Sequence, residues 1–271
     1  MSSPWIFGIV NITEDSFSDG GRYLDPAAAI AHARALAADG ADVIDLGAAA
    51  SNVDAKPVSA AKEIDRLEPV IAALAADGTQ LSVDSCLPEV QRFAIAHGAA
   101  FLNDIRGFPD ASFYPELAAA GVRLVVMHAV QDQGRAQRVE LSADEVWHRL
   151  HDFFRERLAA LERGGIGRER LILDPGMGLF LSTRPEASLR VLARLGRLKR
   201  EFGLPVLVSV SRKSFLRAIA GRPAASEAGP ATLAAELYAA AEGADFIRTH
   251  DPAALCDGLK IVAALQAAAL I

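Results

Sequence analysis

The sequence predicts an α/β fold, a (β/α)8 TIM barrel that forms a single domain over residues 1–271. Eight short aliphatic runs, each ending on a polar residue, alternate with alanine- and leucine-rich segments of helical spacing. The runs are continuously apolar, as expected of parallel strands whose two faces are both covered by crossover helices. Divided over eight units, the 271 residues leave about 34 for each strand, helix and pair of loops, which is sufficient.

The predicted strands follow the β-branched and aliphatic runs, and each ends where the chain turns polar. They cover residues 6–11, 43–47, 81–84, 101–105, 124–128, 171–176, 206–211 and 246–250.

The predicted helices lie between these strands, where apolar residues recur with a period near 3.6. They cover residues 27–38, 60–75, 90–96, 143–161, 187–202, 232–241 and 253–270. Asp25 before Pro26 predicts an N-cap followed by a first-turn proline, and Gly40, Gly98 and Gly121 predict helix ends. A linker or internal repeat that would divide the chain is not visible in the sequence, so one domain is expected.

Composition and charge limit the class of function. With 51% hydrophobic and 23% charged residues, the chain is typical of a soluble globular protein. The net charge of −6 provides no positive field for nucleic acid or anionic lipid, so neither nucleic acid nor membrane is an expected partner. Two cysteines cannot build a disulfide framework, and the N-terminus lacks a signal peptide, so a cytoplasmic location is expected.

In a barrel of this kind the active site forms at the carboxyl ends of the strands. Asp84, Asn103 and Asp174 end three of the predicted strands and offer acceptors that suit the N–H and NH₂ groups of a nitrogen heterocycle. Burying such groups without a ligand to bind would only cost desolvation free energy. The strand ends therefore predict a pocket for a polar small molecule.

A second group of strand-end residues predicts an anion site. Lys213, Arg248 and His250 come from the last two strands, where barrels commonly hold phosphate. Asn11 adds a neutral oxygen, which fits Mg²⁺ because that ion often takes few protein ligands and completes its shell with phosphate oxygens and water. The combined expectation is a nitrogen heterocycle that carries a diphosphate, with Mg²⁺ as cofactor.

Several motifs in order along the chain resemble dihydropteroate synthases. They are GIVNIT (8–13), DSFSDGG (15–21), LSVDS (81–85), LNDI (102–105), LDPGMG (173–178), SRKS (211–214) and RTHD (248–251). The resemblance spans essentially the whole chain. It implies a transferase of folate biosynthesis that condenses 6-hydroxymethyl-7,8-dihydropterin diphosphate with p-aminobenzoate, releasing pyrophosphate by a dissociative mechanism.

The resemblance also implies roles for individual residues of this sequence. Asp84, Asp174 and Lys213 would be catalytic, and the remaining assignments group by substrate. Pterin would be bound by Asp84, Asn103, Asp174, Lys213 and Met127; diphosphate by Asn11, Arg248 and His250; p-aminobenzoate by Phe17, Ser51, Ser211, Arg212 and Leu179; and Mg²⁺ by Asn11. A homodimer through helices near the C-terminal end is implied as well.

Three departures from the common family pattern resemble the sulfonamide-insensitive branch. Asn52 stands where the loop after the second strand usually has an arginine, and Glu14 replaces a usual proline. Residues 179–182 lack the usual glycine-lysine pair. Since sulfonamides are bulkier than p-aminobenzoate at the sulfonyl end, remodelled loops can exclude the drug and admit the substrate.

Two other functions stay open at the sequence level. One is a binding-only paralogue that keeps the pterin pocket without turnover, a reading favoured by Asn52. The other is a pterin-dependent methyltransferase module, which would normally act with a corrinoid domain or partner. Asp45 is also open between a ligand-binding group and a buried acid bonded to backbone amides.

Overall fold

Eight parallel strands form the centre of the structure, a computed structural model that describes residues 3–14, 24–131 and 135–268. The strands are β1 Trp5–Asn11, β2 Val43–Gly47, β3 Leu81–Asp84, β4 Phe101–Asp104, β5 Arg123–Met127, β6 Leu171–Asp174, β7 Leu207–Val208 and β8 Phe246–Thr249. Their order is β6-β5-β4-β3-β2-β1-β8-β7. A parallel bridge between Leu173 and Val206 joins the two outer strands, so the sheet closes and the predicted (β/α)8 barrel is confirmed.

Ten α-helices connect the strands or follow them within the described residues. They are α1 Pro26–Ala38, α2 Ala60–Ala76, α3 Pro88–Ala96, α4 Tyr114–Ala120, α5 Ala143–Arg163, α6 Pro185–Leu192, α7 Leu195–Phe202, α8 Ser214–Ala220, α9 Gly229–Ala241 and α10 Pro252–Ala268. The predicted N-cap is present, since the Asp25 carboxylate accepts a hydrogen bond from the Ala28 N–H at 3.1 Å.

The structure differs from the predicted elements at three places. Residues 187–202, predicted as one helix, form α6 and α7, because Arg194 leaves the helical region and its guanidinium stacks on Trp147 at 5.2 Å. The helices α4 and α8 have 7 residues each and were not predicted, since so few residues show no clear periodicity. Strand β7 has only 2 residues: the Val206 N–H before it donates to the Asp245 carboxylate at 2.9 Å, and after it the chain turns, with the Lys213 N–H donating to Val210 O at 3.1 Å.

Alternate residues of each strand point into the barrel, which follows from the two-residue period of a strand. The amino-terminal half of the interior is filled by apolar side chains, with Phe7 and Phe101 in an edge-to-face contact at 5.0 Å between ring centroids. The Arg123 guanidinium stacks on Phe101 at 5.1 Å. The outward-facing residues of the strands pack against the helices in one large cluster.

Because the same alternation continues to the carboxyl ends, the last inward positions carry polar side chains instead. Asp84, Asn103 and Asp174 lie two residues beyond the inward residues Ser82, Phe101 and Ile172. The barrel therefore has a closed apolar end and an open polar end. Among the described residues, no helix is long and apolar enough to span a bilayer, and both cysteines are free thiols.

Candidate active site

The polar end of the barrel encloses two connected chambers. The deep chamber lies between the strand ends and is lined by Asp84, Asn103, Met127, Asp174, Lys213 and Arg248, together with Met177, Phe180 and Ser209. The outer chamber has a volume of about 210 Å³ and lies under the loops. Asp84, Met177, Phe180, Ser209, Lys213 and Arg248 line both chambers.

An arginine between two carboxylates forms the floor of the deep chamber. Arg248 Nε donates to Asp45 Oδ2 at 2.6 Å, and its Nη2 donates to Asp84 Oδ2 at 2.9 Å. The Asp45 side chain is fully buried, whereas the Asp84 side chain is 30% exposed. Asp45 therefore fixes the guanidinium from below, and Asp84 keeps an edge toward the chamber. The backbone-bonded alternative for Asp45 is wrong: its partner is the inward-facing arginine of β8.

The two chamber carboxylates are held near their titration range. Desolvation raises the pKa of Asp84 to about 7 against the opposing charge of Arg248. Desolvation also raises the pKa of Asp174 to about 6, although its Oδ1 accepts the Gly176 N–H at 2.8 Å and Lys213 lies nearby. Because both groups titrate near neutrality, a ligand that donates hydrogen bonds to them would favour their ionised forms.

Lys213 reaches the same chamber from the start of α8, where its backbone is the N-cap residue. Its ammonium group lies 4.8 Å from the centroid of the Phe180 ring, a cation–π contact. Desolvation, with the charge of Arg248, lowers its pKa to about 8 despite Asp174. The amine is therefore charged at neutral pH but close to losing its proton.

Asn103 provides direct support for a missing ligand. The residue is 4% exposed, and its Oδ1 is buried with no hydrogen-bond partner among the described residues. Such an oxygen costs free energy unless a donor satisfies it. Since Asn103 lines the deep chamber, a molecule that enters the chamber, a water or a ligand with an N–H group, can supply the donor.

Ser211 and His250 form a pair at the edge of the outer chamber. Ser211 Oγ and His250 Nδ1 are 2.9 Å apart, and the His250 backbone N–H donates to the same hydroxyl at 3.2 Å. Desolvation and the nearby charge of Arg212 place the pKa of His250 well below its ordinary value. At neutral pH the ring is therefore uncharged.

Arg212 has a left-handed backbone with φ of 59°, which is unfavourable for a side chain with a Cβ. Its N–H donates to the Thr232 hydroxyl on α9 at 3.0 Å. Thr232 is 4% exposed, so the contact is shielded from water. This hydrogen bond holds the turn that points Ser211, Arg212 and Lys213 toward the chambers.

The loops over the mouth are tied to one another. The second-strand loop (residues 48–59) and the fifth-strand loop (residues 128–142, described except 132–134) share two hydrogen bonds: Ala136 N–H to Ser51 O at 2.9 Å and Arg135 Nη1 to Ala55 O at 3.1 Å. The Thr183 N–H donates to Val139 O at 2.9 Å. The loops after β2, β5 and β6 are therefore joined by hydrogen bonds into one rim around the mouth.

Glu14 links the first-strand loop to α2 and the second-strand loop. Its carboxylate accepts hydrogen bonds from Lys62 Nζ at 2.7 Å and Arg66 Nη2 at 2.6 Å. Arg66 Nη1 also donates to Ala48 O at 2.8 Å. The proline usual at this position could not make these contacts, so the departure at Glu14 has a structural use.

The described residues contain no group of three or more His, Cys, Asp and Glu side chains that could hold a metal ion. Asn11 lines the outer chamber beside His250 and Arg248. Its amide oxygen is a hard neutral donor, which fits an ion that is coordinated mainly by a diphosphate. The donor set therefore suits Mg²⁺ only when the ion arrives with an anionic substrate.

Comparison with known proteins agrees with this geometry. Residues 7–250 match the family model of pterin binding enzymes. A dihydropteroate synthase type-2 of Escherichia coli is 61% identical over 98% of this chain and 97% of its own length. The chain belongs to the dihydropteroate synthase family.

Solved structures of dihydropteroate synthases have the same fold. The Xanthomonas albilineans enzyme with 4-aminobenzoic acid is 36% identical, covers 98% of this chain and 93% of its own, and superposes with a TM-score of 0.84. The Yersinia pestis enzyme in a sulfonamide drug complex is 32% identical, covers 98% of this chain and 95% of its own, and has a TM-score of 0.90.

The structure brings nearly all the residues singled out from the sequence to one end of the barrel. Three line the deep chamber alone: Asn103, Met127 and Asp174. Five line the outer chamber alone: Asn11, Leu179, Ser211, Arg212 and His250. Four line both: Ser51, Asp84, Lys213 and Arg248. Phe17 lies outside the described residues. Their individual roles in a dihydropteroate synthase reaction stay predictions.

Sequence reasoning missed two contributors to the mouth, Phe180 and Arg138, and the partner of a third residue. Asp45 was named as a candidate, but its pairing with Arg248 was not predicted; a charged residue at an inward position of an otherwise apolar strand could have indicated a buried ion pair. Phe180 lies under the Lys213 ammonium group, and Arg138 lines the outer chamber from the fifth-strand loop. No strand-end pattern marks these two, because both lie on loops whose course the sequence does not reveal.

Proposed function

We propose that this chain joins 6-hydroxymethyl-7,8-dihydropterin diphosphate to p-aminobenzoate at the polar end of the barrel, releasing pyrophosphate and 7,8-dihydropteroate. The observation that carries the proposal is the deep chamber, in which two carboxylates and the unpartnered Asn103 oxygen face a cation. A pterin ring has donors that match these acceptors. The reaction itself is inferred from the similarity to dihydropteroate synthases.

The pterin ring occupies the deep chamber in this proposal. Asp84, Asn103 and Asp174 accept hydrogen bonds from its N–H and NH₂ groups, and Lys213 donates to its carbonyl or ring nitrogen. Met127, which is 8% exposed and packs against Phe180, gives the ring an apolar contact. A flat ring held on several sides would place its reactive methylene at the outer chamber.

The diphosphate and p-aminobenzoate occupy the outer chamber. Asn11, Arg248 and His250 bind the diphosphate, while Ser51, Leu179, Ser211 and Arg212 shape the p-aminobenzoate site. Binding of p-aminobenzoate has a precedent in the Xanthomonas albilineans relative, which was solved with 4-aminobenzoic acid.

The reaction needs no side-chain nucleophile. The C–O bond between the pterin methylene and the diphosphate breaks, and both electrons leave with pyrophosphate. The amine of p-aminobenzoate then forms the C–N bond and gives up one proton. Asp84 stabilises the cationic pterin intermediate electrostatically, because its negative charge is fixed close to the ring by Arg248.

Mg²⁺ is part of the proposal as the partner of the diphosphate, where it would neutralise charge on the leaving group. Asn11 would be its protein ligand, since its amide oxygen lines the outer chamber. We expect EDTA to abolish turnover and Asn11→Ala to raise the Mg²⁺ concentration that half-maximal activity requires. Full activity in EDTA would contradict the assignment.

Pyrophosphate release tests the function. We expect release only when the pterin diphosphate, p-aminobenzoate and Mg²⁺ are all present, and Asp84→Ala to abolish it. Tight pterin binding without release would favour the binding-only alternative, and methyl transfer to a corrinoid would favour the methyltransferase module. Growth of a folate-auxotrophic strain should likewise depend on Asp84.

We also propose that sulfonamides inhibit this enzyme weakly. The rim departs from common dihydropteroate synthases at Glu14, Asn52 and residues 179–182, and Leu179 and Phe180 line the outer chamber. The Yersinia pestis relative, solved in a sulfonamide drug complex, serves as the control. We expect sulfamethoxazole to inhibit that enzyme at much lower concentrations; equal sensitivity would refute the proposal.

A homodimer is proposed from exposed apolar residues near the C-terminal end. Ile261 and Leu265 on α10 are 63% and 65% exposed, and Tyr238 on α9 is 45% exposed. Covering such side chains is favourable. We expect a dimer in sedimentation, a monomer for Ile261→Glu/Leu265→Glu, and an unchanged dimer for the control Leu189→Glu. A monomeric wild type would contradict this.

A cytoplasmic location is proposed from the free thiols. Cys86 and Cys256 are half-buried and unpaired, which suits a reducing compartment. Fractionation of expressing cells should recover the protein with cytoplasmic markers, and recovery with periplasmic or membrane markers would contradict the proposal.

A further inference from the structure

The ionised groups inside the barrel carry no net positive charge toward a diphosphate. Asp45, Asp84 and Asp174 face only two cations there, Arg248 and Lys213. Arg248 is engaged by two of these carboxylates at 2.6 and 2.9 Å. With all five groups ionised, the interior carries no surplus positive charge. Beside the Mg²⁺ proposed above, a substrate with several negative charges would therefore gain further attraction from cations of the rim.

Arg138 is a cation of the rim that is suitably placed. It lies on the fifth-strand loop, lines the outer chamber and is exposed. Its guanidinium makes no ion pair or hydrogen bond with the described part of the chain. An arginine held over a chamber without a carboxylate partner keeps its full capacity for bidentate binding of phosphate oxygens.

The position of Arg138 is set by the neighbouring backbone. Two residues earlier, the Ala136 N–H donates to Ser51 O at 2.9 Å, and one residue later Val139 O accepts the Thr183 N–H at 2.9 Å. Ala136 is 4% exposed. The backbone is therefore anchored on both sides of the arginine, whose side chain lines the outer chamber together with residues of the second-strand loop.

The second-strand loop itself brings no cation to the outer chamber, because its lysine, Lys56, is exposed and does not line the chamber. Asn52 lines the outer chamber, and its Oδ1 accepts the Asp54 N–H at 3.0 Å, so its side chain stabilises its own turn. Ser51 and Ala55, the loop residues bonded to the fifth-strand loop, flank this turn. Arg138 thus brings positive charge to the part of the rim where the second-strand loop has the neutral Asn52.

We propose that Arg138 binds the diphosphate of the pterin substrate and stabilises the departing pyrophosphate. The inference rests on the function proposed above and assigns a further residue to it. The diphosphate is favoured over the p-aminobenzoate carboxylate because it carries the larger charge and because that charge grows as the C–O bond breaks.

Arg138→Gln tests the assignment against Arg155→Gln, a control on α5 whose side chain is 73% exposed. We expect the KM for pterin diphosphate and the inhibition constant for added pyrophosphate both to rise roughly tenfold in Arg138→Gln, the loss typical of one charge-assisted contact. The KM for p-aminobenzoate should stay near the wild-type value. Arg155→Gln should match the wild type throughout.

A double variant makes the test sharper. Adding Asn52→Arg to Arg138→Gln places a cation on the second-strand loop, which lines the same outer chamber. This second change should restore much of the pyrophosphate inhibition. Failure of this rescue, unchanged constants in Arg138→Gln, or a change confined to p-aminobenzoate would each overturn the proposal. A wild-type enzyme without pyrophosphate release would instead refute the proposed function, so the two failures are distinguishable.

Discussion

Arg248 shows how one side chain can serve both folding and chemistry. Its guanidinium is 13% exposed and joins the buried Asp45 to Asp84 at the chamber. A buried ion pair contributes little net stability, but removing one partner leaves an unpaired charge that is costly. The main effect of the Arg248–Asp45 pair is therefore to hold Arg248 in place, which fixes Asp84 in one orientation.

Asp45→Asn should separate this positioning role from simple stability. We expect a loss of about 1.5–3 kcal/mol of unfolding free energy, the range for a hydrogen bond to a charged group. The KM for pterin diphosphate should rise, because Arg248 then draws Asp84 away from the ligand. Denaturant unfolding and steady-state kinetics measure the two effects.

Asp104→Asn is the matched control for that prediction. Asp104 is 1% exposed and lies on β4, but it faces the helices, where its carboxylate accepts hydrogen bonds from Gln91 at 3.0 Å and the Arg106 N–H at 2.7 Å. Its substitution should lower stability and leave the KM unchanged. Equal KM effects in both variants would mean that Asp45 acts only through stability.

Three groups of the chamber titrate near neutrality, Asp84, Asp174 and Lys213, and Asp84 and Lys213 are the first to lose their charge on the acid and alkaline sides. Below about pH 7 Asp84 gains a proton and its charge is lost; above about pH 8 Lys213 loses its proton. We expect kcat/KM for pterin diphosphate to be bell-shaped with limbs near these values, since this ratio reports the free enzyme. Lys213→Arg should shift the alkaline limb upward. An alkaline limb that stays unchanged in this variant would contradict the assignment.

At the scale of elements, α9 supports the site without contributing to its lining. Thr232 holds the left-handed Arg212 through its hydroxyl at 3.0 Å. One turn later, Glu236 is 1% exposed, and desolvation raises its pKa to about 8 despite a hydrogen bond from Thr249. The buried face of α9 therefore carries two polar residues, Thr232 and Glu236, beside the apolar Ala235 and Ala239.

Thr232→Val keeps the shape of the side chain and removes the hydroxyl. The Arg212 N–H would be left without a partner, at a cost of about 1–3 kcal/mol. Relaxation of the turn should raise the KM for p-aminobenzoate by about two- to tenfold if half of that free energy is lost from binding. Thr232→Ser, which keeps the hydroxyl, should restore the wild-type constant; failure of the serine variant would contradict the positioning role.

The elements also show what the sequence can and cannot predict. The strand ends were placed well, because Asp84, Asn103 and Asp174 terminate apolar runs whose alternation decides which side chains face inward. Helix α4 was missed because Tyr114–Ala120 spans only 7 residues, too few for a periodic signal. The pairing of Arg248 with Asp45 joins residues 203 apart in the chain, and no local pattern encodes such a contact.

At the scale of the whole molecule, the barrel divides stability from function along its axis. The amino-terminal half of the interior is apolar and centred on Phe7, which is 0% exposed. The opposite half contains the chambers. In barrels of this type, residues at the closed end contribute to stability, whereas those at the strand ends contribute to chemistry.

Phe7→Ala should therefore cost about 3–5 kcal/mol of unfolding free energy and leave the KM values of the folded enzyme near wild type. We expect one cooperative unfolding transition, as the single domain predicted from the sequence requires, and calorimetry can check it. Leu189→Ala, at a residue 44% exposed, should have little effect on stability. A second transition, or altered KM values in Phe7→Ala, would contradict this division.

The hydrogen bonds between the rim loops have a consequence for how such a barrel can diverge. Ser51 and Ala55 are bonded to Ala136 and Arg135, so the spacing within one loop is matched to the spacing within the other. An insertion or deletion in either loop would move these donors away from their acceptors. Lineages that alter substrate access by changing loop length should therefore carry paired changes, visible as covariation between two segments about eighty residues apart.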